Sequence, residues 1–394
     1  MPRALTVLEP EYRAAPRPWR SPLLSPLRAA APALLGYVAA RAVGVLVLVA
    51  WGAHRGVSAL YRLSSMWDAY WYQEIAVHGY AGSPPVPGPH GPYEVYAFFP
   101  AYPMLIRSVH WLLPLGVNYA ALTVAWAASL AAAWGVFAVA DRLYGRRVGV
   151  VTAILWGVTP YAVVESAAYS ELLFTAFTAW AVYAAIRRSW VLAGLLALLA
   201  GLSRPTGLAV AVAVSGAALW ELLCHRGGRR AVAGMLLAPL GFVGFVGWVG
   251  LQKGRLDGYF RVQAAWQSEF DFGRKTFYSL RDLVARPDTV YLADVAVAVV
   301  LVAGVLLLAI SLIQRQPPVL LLHSAATLTL ALGDAAYFDS RARFLIPAFG
   351  LLLPVATGLS RVRSRASLVL ILATAVLCSA MYGGYVAFVY PDAP

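Results

Sequence analysis

The segment 292–313 reads LADVAVAVVLVAGVLLLAISLI and carries one charged side chain, Asp294, near its start. As a helix it would be about 33 Å long, enough to cross the ~30 Å hydrocarbon core of a bilayer. The whole chain shares this character, since 61% of its 394 residues are hydrophobic and 12% are charged. Soluble domains carry about 25% charged residues. The composition therefore excludes an ordinary soluble enzyme and a disordered protein, and it predicts an all-α integral membrane protein.

Similar apolar runs predict about eleven membrane helices, and the sequence is also compatible with ten or twelve. Residues 99–114 are apolar but lie between prolines and contain Arg107 and His110. An interfacial or re-entrant segment is therefore predicted there, with a twelfth span as the alternative. The predicted spans are roughly 33–54, 117–140, 147–164, 169–186, 190–203, 206–224, 231–251, 292–313, 318–336, 343–360 and 366–388.

The placement of arginine orients these helices in a cell membrane. Five connections between spans hold 12 arginines and one acid, Asp141, and basic connections remain on the cytoplasmic side. The N-terminus is therefore predicted inside and, with an odd number of spans, the C-terminus outside. Residues 1–28 are predicted to be a flexible cytoplasmic tail, and 29–394 a single polytopic domain with outer loops at 55–116 and 252–291. The basic connections and the tail account for much of the net charge of +13, so nucleic-acid binding is not expected.

The first outer loop has an unusual composition at 64–80, SSMWDAYWYQEIAVHGY. Trp67, Trp71, Glu74 and His78 share one face of a helix, and this aromatic density is typical of a helix in the headgroup region. Aromatic rings also stack on sugars, so the same stripe could line a glycan site.

Asp68 within this loop has two interpretations. In the first, Ser65-x-x-Asp68 is a capping box at the start of a helix. In the second, Asp68 is a carboxylate in a cleft between membrane and water, where partial desolvation makes it a usable general base.

Two more outer clusters carry charge. Glu171 and Tyr169 lie between two apolar helices, where a role in substrate binding competes with ion pairing to an arginine of another helix. Arg204 lies at a helix break next to Pro205, where it could bind a phosphate bidentately. It could equally neutralise Glu165 or Glu171.

Arg341 and Arg343 form the last cluster, ahead of an apolar span, and could bind an anionic headgroup. Inside the first span, Arg41 is predicted to snorkel to the cytoplasmic surface. Outward carboxylates and arginines on an apolar scaffold indicate a protein that handles an amphiphile with a lipid tail and a phosphate.

The sequence contains no H-E-x-x-H, C-x-x-C, P-loop or dinucleotide-binding motif. It also lacks Asp-x-Asp, the motif that usually binds a metal-bound nucleotide sugar. No cofactor is therefore expected, no metal ligands are assigned, and a metal requirement is not expected.

In order along the chain, several motifs resemble those of PIG-V-type mannosyltransferases, the relatives of GPI mannosyltransferase II within the GT-C superfamily, including bacterial members. The similar stretches are WDAYWY at 67–72 with GY at 79–80, FFPAYP at 98–103, AYSELLF at 168–174, SRPTG at 203–207 and DSRARFLIPAF at 339–349. Pro205 and Thr206 depart from the family pattern, which leaves the acceptor open.

The resemblance implies a GT-C-like fold and an inverting transfer of a hexose, most simply mannose, from a polyprenyl-phosphate sugar on the extracytoplasmic side. It implies that Asp68 is the catalytic base. Arg204, Arg341 and Arg343 would then bind the leaving lipid phosphate. Substrate contacts are expected from aromatic and acidic side chains of the same motifs: Trp67, Trp71, Tyr72, Glu74, Tyr169 and Glu171.

The expected acceptor is a glycolipid, a glycan or a protein of the cell envelope. The alternative function is a transporter or flippase of polyprenyl-linked sugars, and a non-catalytic scaffold is a third possibility. A transporter keeps charged residues near the middle of the membrane. Arg41 is the main such residue here, which favours an enzyme with a site on one side.

Overall fold

The computed structural model describes residues 24–286 and 290–392. In this part of the chain all regular secondary structure is helical, and β-structure is limited to two isolated bridges. The α-helices are, in chain order, α1 Leu24–Arg55, α2 Ala59–Ser65, α3 Asp68–His78, α4 Ala101–Leu112, α5 Val117–Tyr144, α6 Arg146–Trp156, α7 Glu171–Ile186, α8 Trp190–Gly201, α9 Gly207–Leu223, α10 Arg229–Leu237, α11 Leu240–Gln252, α12 Gly258–Ala265, α13 Arg274–Ala285, α14 Leu292–Ile313, α15 Pro318–Gly333, α16 Arg341–Phe344, α17 Leu353–Leu359 and α18 Arg365–Phe388.

Five helical segments of the described chain are long and apolar enough to cross a membrane. They are α1, α5, α14, α18 and the stretch 229–252, in which α10 and α11 follow one another across Pro239. Shorter apolar helices lie between them, namely α7, α8, α9, α15 and the segment Phe349–Leu359. The chain is therefore a multi-pass membrane protein, and the number of eleven spans stays a prediction.

The boundaries differ from the predicted ones where proline or glycine interrupts an apolar run. The span predicted at 147–164 ends at Trp156, and a short 3₁₀ turn, Ala162–Ser166, follows Pro160. The span predicted at 343–360 is divided into α16, a 3₁₀ turn at Phe349–Leu352, and α17. Proline lacks the backbone N–H that a helix interior needs. Hydropathy alone does not register these breaks.

The centre of the bundle is built from small side chains. Helix α5 buries a row of alanines and packs against α1, α6 and α7, while α8 packs on α7. Small residues let helices approach closely when lipid provides no hydrophobic driving force between them. At Gly234 and Gly241 the backbones are so close that no side chain fits, since a Cβ there would collide with the carbonyl oxygens of Trp190 and Leu198 on α8.

The structure assigns helices to parts of the predicted tail, interfacial segment and loops. Helix α1 begins at Leu24, so residues 24–28 of the predicted flexible tail are helical, and the rest of that tail lies outside the described residues. The predicted interfacial segment 99–114 contains the 12-residue helix α4. The stretches 55–116 and 252–291, predicted as outer loops, contain α2 to α4 and α12 to α13 in their described parts.

Arg41 does not reach the cytoplasmic surface. Its guanidinium donates to the Ser166 hydroxyl, with Nη2 at 2.9 Å, and to the carbonyl oxygen of Gly157, with Nη1 at 2.9 Å. The prediction of snorkelling was wrong, because the turn after α6 supplies acceptors inside the protein.

Candidate active site

Asp68 is the first residue of α3, and the residue before it has an unusual backbone conformation. Trp67 has φ 52° and ψ −122°, a combination that costs free energy for a bulky side chain and is found mostly at functional positions. The capping box does not form, since Ser65 ends α2 and its hydroxyl accepts a hydrogen bond from Asn118 Nδ2 at 2.9 Å. The capping interpretation of Asp68 was therefore wrong.

Four charged side chains from distant parts of the sequence form one alternating chain of ion pairs. Arg343 Nη2 lies 3.0 Å from Asp68 Oδ2, and Arg343 Nε lies 3.6 Å from Glu171 Oε1. Arg204 Nη1 lies 2.6 Å from the other oxygen, Glu171 Oε2. The structure thus brings together four of the predicted site residues, and their formal charges cancel. We call these four residues the charge cluster.

Burial is uneven within the charge cluster. The side chain of Glu171 is 1% exposed and those of both arginines are 8% exposed, whereas that of Asp68 is 19% exposed. Burying paired charges contributes little to stability, because their desolvation offsets the Coulomb attraction. A buried cluster in which only one carboxylate is appreciably exposed to solvent has the arrangement expected of a reaction site.

Hydroxyl groups extend the charge cluster. Arg204 Nη1 donates to Ser170 Oγ at 3.0 Å, and the hydroxyls of Tyr72 and Ser170 are 2.6 Å apart. The Tyr169 ring faces the Arg343 guanidinium at 5.5 Å. Arg343 Nε faces Glu171 at ion-pair distance, whereas Nη1 has no hydrogen-bond partner among the described residues, so this buried guanidinium retains one nitrogen donor for a ligand. Ser170 was missed from the sequence, although it lies between two predicted residues.

An aromatic wall stands beside the charge cluster. Trp71, one turn along α3 from Asp68, stacks on Phe98 at 5.9 Å and meets Trp266 edge-on at 5.2 Å. Trp266 stacks in turn on Tyr93 at 4.3 Å. The sequence analysis placed Trp71 in the site but did not single out Trp266, which lies in the predicted outer loop 252–291. The one available signal was a tryptophan in a long predicted loop that also contains tyrosine and phenylalanine.

Arg341 is not part of the charge cluster. It is fully buried, and its guanidinium donates to the Thr276 hydroxyl and to the carbonyl oxygens of Asp334 and Ala336. It ties the outer connection before α16 to α13.

The other predicted residues lie at the edge of the site or away from it. Trp67, half-buried, contacts the Arg62 guanidinium at 5.6 Å. Glu74 lies 3.6 Å from His78 and not in the cluster. Glu165 is buried and interacts with the Tyr37 hydroxyl and the charge of Arg41, whereas Arg204 pairs with Glu171.

Asp339 lies in the outer connection that leads into α16. Burial raises the pKa of its carboxyl to about 6, and the charge of Arg343 opposes this shift. The carboxyl therefore titrates close to neutral pH and responds to the state of the charge cluster.

An apolar cavity of about 250 Å³ lies between α14 and the segment that contains α16. It is lined by Val299, Val300 and Gly304 of α14, by Tyr161, and by Ala342, which directly precedes Arg343.

Metal ligands are not grouped in the described residues. Between residues 24 and 286, and between 290 and 392, no three His, Cys, Asp or Glu side chains lie close enough together to hold an ion. The positive charge at the site comes from arginine.

A scan against protein-family models and a search of curated proteins found no match. Among solved structures, ArnT from Cupriavidus metallidurans bound to undecaprenyl phosphate matches with a TM-score of 0.55 at 16% identity over 90% of this chain. The apo state of ArnT matches with a TM-score of 0.55 at 18% identity over 90% of this chain. The chain spans just under two thirds of the length of ArnT, 66% and 65% in the two structures. This chain therefore shares its fold with ArnT, and that fold is helical throughout the described residues.

Proposed function

We propose that this protein is a membrane glycosyltransferase that transfers a hexose from a polyprenyl-phosphate sugar to an acceptor on the extracytoplasmic side. The observation that carries the proposal is the charge cluster, in which Asp68 alone is appreciably open. The ArnT structure with bound undecaprenyl phosphate supports the donor class. Mannose is supported by the motif resemblance to PIG-V-type enzymes. The outer location of the site and of the C-terminus is supported by the distribution of arginine.

In the proposed reaction, a hydroxyl oxygen of the acceptor attacks the anomeric carbon of the donor sugar. Asp68 takes the hydroxyl proton as the new glycosidic bond forms. The bond between the anomeric carbon and the phosphate oxygen breaks on the opposite face, and the bonding electrons leave with the lipid phosphate. The product is inverted at the anomeric carbon.

Arg343 and Arg204 stabilise the charge that develops on the leaving phosphate. Both guanidiniums lie in a buried environment, where a preorganised cation is worth more than in water. Arg343 Nη1 has no hydrogen-bond partner among the described residues, and the apolar cavity lined by Ala342 would receive the first part of the polyprenyl tail. Trp71, Tyr72 and Tyr169 would contact the sugar.

The test uses the full chain in nanodiscs with radiolabelled polyprenyl-phosphate mannose and a membrane-lipid extract. Wild type and Asp68→Asn are compared for label transfer, with folding checked by thermal shift. The matched control is Asp257→Asn, an exposed carboxylate of the second outer loop that is paired with Arg255 and Arg261.

We expect transfer by wild type and Asp257→Asn, and a fall of at least about 10²-fold in folded Asp68→Asn. Equal transfer by Asp68→Asn would contradict the assignment of the base. If wild type transfers no sugar from mannosyl, glucosyl or other lipid-phosphate donors, but moves the labelled lipid across the bilayer, the protein is a flippase. Transfer that persists in the presence of EDTA would support the expectation that no metal is needed.

A further inference from the structure

Arg62 of α2 lies outside the charge cluster and faces two aromatic rings. Its guanidinium carbon is 5.6 Å from the centre of the Trp67 ring and 5.6 Å from that of the Phe388 ring. Nη1 donates to the Met66 sulfur at 3.5 Å, and the buried Nε has no hydrogen-bond partner among the described residues. Aromatic faces attract a cation through the ring quadrupole. The contacts of Arg62 in the described chain are therefore two rings and a thioether rather than a carboxylate.

The ring of Trp67 belongs to the residue that directly precedes the candidate base. Trp67 has a positive φ of 52°, and its side chain makes no capping hydrogen bond at the start of α3. This conformation is unfavourable for a bulky residue and persists only where the surrounding structure fixes it. The contact with Arg62 holds the Trp67 ring, and the backbone at Trp67 sets the direction in which Asp68 leaves the turn.

Arg62 is itself supported from two sides. The next residue, Leu63, is buried, and its carbonyl oxygen accepts a hydrogen bond from the Ala168 N–H at 2.8 Å. Phe388 is the last residue of α18 and is 5% exposed. The guanidinium thus connects a ring fixed at the end of the last long helix to the ring of Trp67.

We propose that Arg62 is a positioning residue, which fixes the Trp67 ring and so maintains the strained backbone from which Asp68 faces Arg343 at 3.0 Å. Among the described residues, no ion pair or hydrogen bond joins Arg62 to the charge cluster. Its effect on the reaction therefore passes through Trp67. The inference rests on the proposed function, because it takes Asp68 to be the base.

Three variants and one control test this role in the full chain in nanodiscs. Arg62→Met removes the charge and keeps an apolar stem, whereas Arg62→Lys keeps a cation that can face the rings. Phe388→Leu removes the second ring and keeps an apolar side chain. The matched control is Arg187→Met, which removes an exposed arginine that faces the Tyr183 ring at 5.8 Å, outside the site. Thermal shift checks the folding of each variant.

The first readout is amide hydrogen exchange at the start of α3, which does not depend on activity. There the Ala69 N–H donates to the Met66 carbonyl oxygen at 3.2 Å, and the Tyr70 N–H donates to the Trp67 carbonyl oxygen at 3.1 Å. Both bonds require the observed backbone at Trp67. Exchange of these two amides therefore reports whether Arg62 maintains that backbone.

We expect the peptide that contains these amides to exchange at least about fivefold faster in Arg62→Met, because local opening becomes easier. Phe388→Leu should show a smaller change in the same direction, and Arg62→Lys and Arg187→Met should exchange like wild type. If Arg62→Met does not fold, Phe388→Leu decides. Unchanged exchange in every folded variant that lacks the cation or the second ring would overturn the inference.

The second readout is the kinetics of transfer from a lipid-phosphate donor. We expect kcat to fall at least about 10-fold in Arg62→Met, because a misplaced base reacts poorly, and Arg62→Lys to recover most of the loss. The donor KM should stay close to that of wild type, because Arg343 and Arg204 are intact.

The two readouts separate this inference from the proposed function. A raised donor KM with an unchanged kcat in Arg62→Met would make Arg62 a ligand of the donor and overturn its positioning role. A folded wild-type chain without transferase activity would contradict the proposed function, whereas faster exchange in Arg62→Met would still support the hold of Arg62 on the start of α3.

Discussion

Arg341 and Arg343 are two residues apart on the same short helix, yet they have opposite surroundings. Arg341 uses its guanidinium to bind the Thr276 hydroxyl and two backbone carbonyls. Arg343 pairs with the carboxylates of Asp68 and Glu171. We therefore interpret Arg341, bound to neutral acceptors, as part of the scaffold and Arg343, shared between two carboxylates, as the candidate for chemistry.

The largest effect that this comparison predicts is on catalysis in Arg343→Gln. We expect the transfer rate to fall by about 10²–10³-fold, as when one preorganised donor to a developing anion is removed. Stability should change less, because Asp68 is partly open to water and Glu171 keeps Arg204. Initial rates in nanodiscs with a lipid-phosphate donor provide the measurement. A near wild-type rate would remove Arg343 from the mechanism.

Arg341→Gln should show the reverse pattern. We expect the free energy of unfolding to fall by about 3 kcal/mol, because hydrogen bonds to a buried charged group are lost together. The rate per folded molecule should stay within a few-fold of wild type. Denaturation in mixed micelles, combined with the rate assay, tests both statements. A stable but inactive Arg341→Gln protein would restore Arg341 as a substrate ligand.

The raised pKa of Asp339 makes the stability of the region around Arg341 and Arg343 depend on pH. Its pKa is about 6 in the folded protein and about 3.9 in an unfolded chain. Its stabilising contribution is therefore fully present below about pH 4 and is lost as the pH rises through 6. We expect Asp339→Asn to remove a loss of about 2 kcal/mol between pH 4 and pH 7. Tm measured against pH should show this loss steepened in Arg343→Gln, because Arg343 lowers the pKa of Asp339. An unchanged slope in Asp339→Asn would refute the assignment.

The smallest effect is expected for Thr276→Val, which removes one acceptor of Arg341 and preserves the side-chain shape. We expect destabilisation of about 1 kcal/mol, less than for Arg341→Gln. Thr357→Val is a suitable control, because the Thr357 hydroxyl bonds only to carbonyl oxygens of its own helix region. Equal Tm shifts in the two variants would show that the bond between Arg341 and Thr276 contributes nothing specific.

Much of the architecture followed from hydropathy, because a span is a local property of the sequence. The predicted span 292–313 matches α14 residue for residue. The break at Pro160 was missed, since a short non-helical turn within an apolar run does not change its composition.

In the site, the sequence identified Asp68, Glu171, Arg204 and Arg343 as candidates, and the structure brings them together. The ion pair between Arg204 and Glu171 was one of the predicted alternatives and is confirmed. The pairing of Arg343 with Asp68 was not predictable, because it depends on contacts between helices far apart in the chain. For the same reason the sequence analysis assigned Arg341 and Arg343 the same role. Side chains at positions i and i+2 of a helix point in different directions, and only the packed structure shows what each meets.

The charge cluster forms in stages as the chain is synthesised. Glu171 and Arg204 flank one pair of neighbouring helices, α7 and α8, so the ribosome delivers both within a short interval. Asp68 is synthesised well before its partner, which is available only once α16 has been made. Because domains form progressively during synthesis, a nascent chain halted before Arg343 would contain the Glu171–Arg204 pair and an Asp68 without its arginine. The candidate base is thus completed more than 270 residues after it is made, since Arg343 follows Asp68 by 343 − 68 = 275 residues.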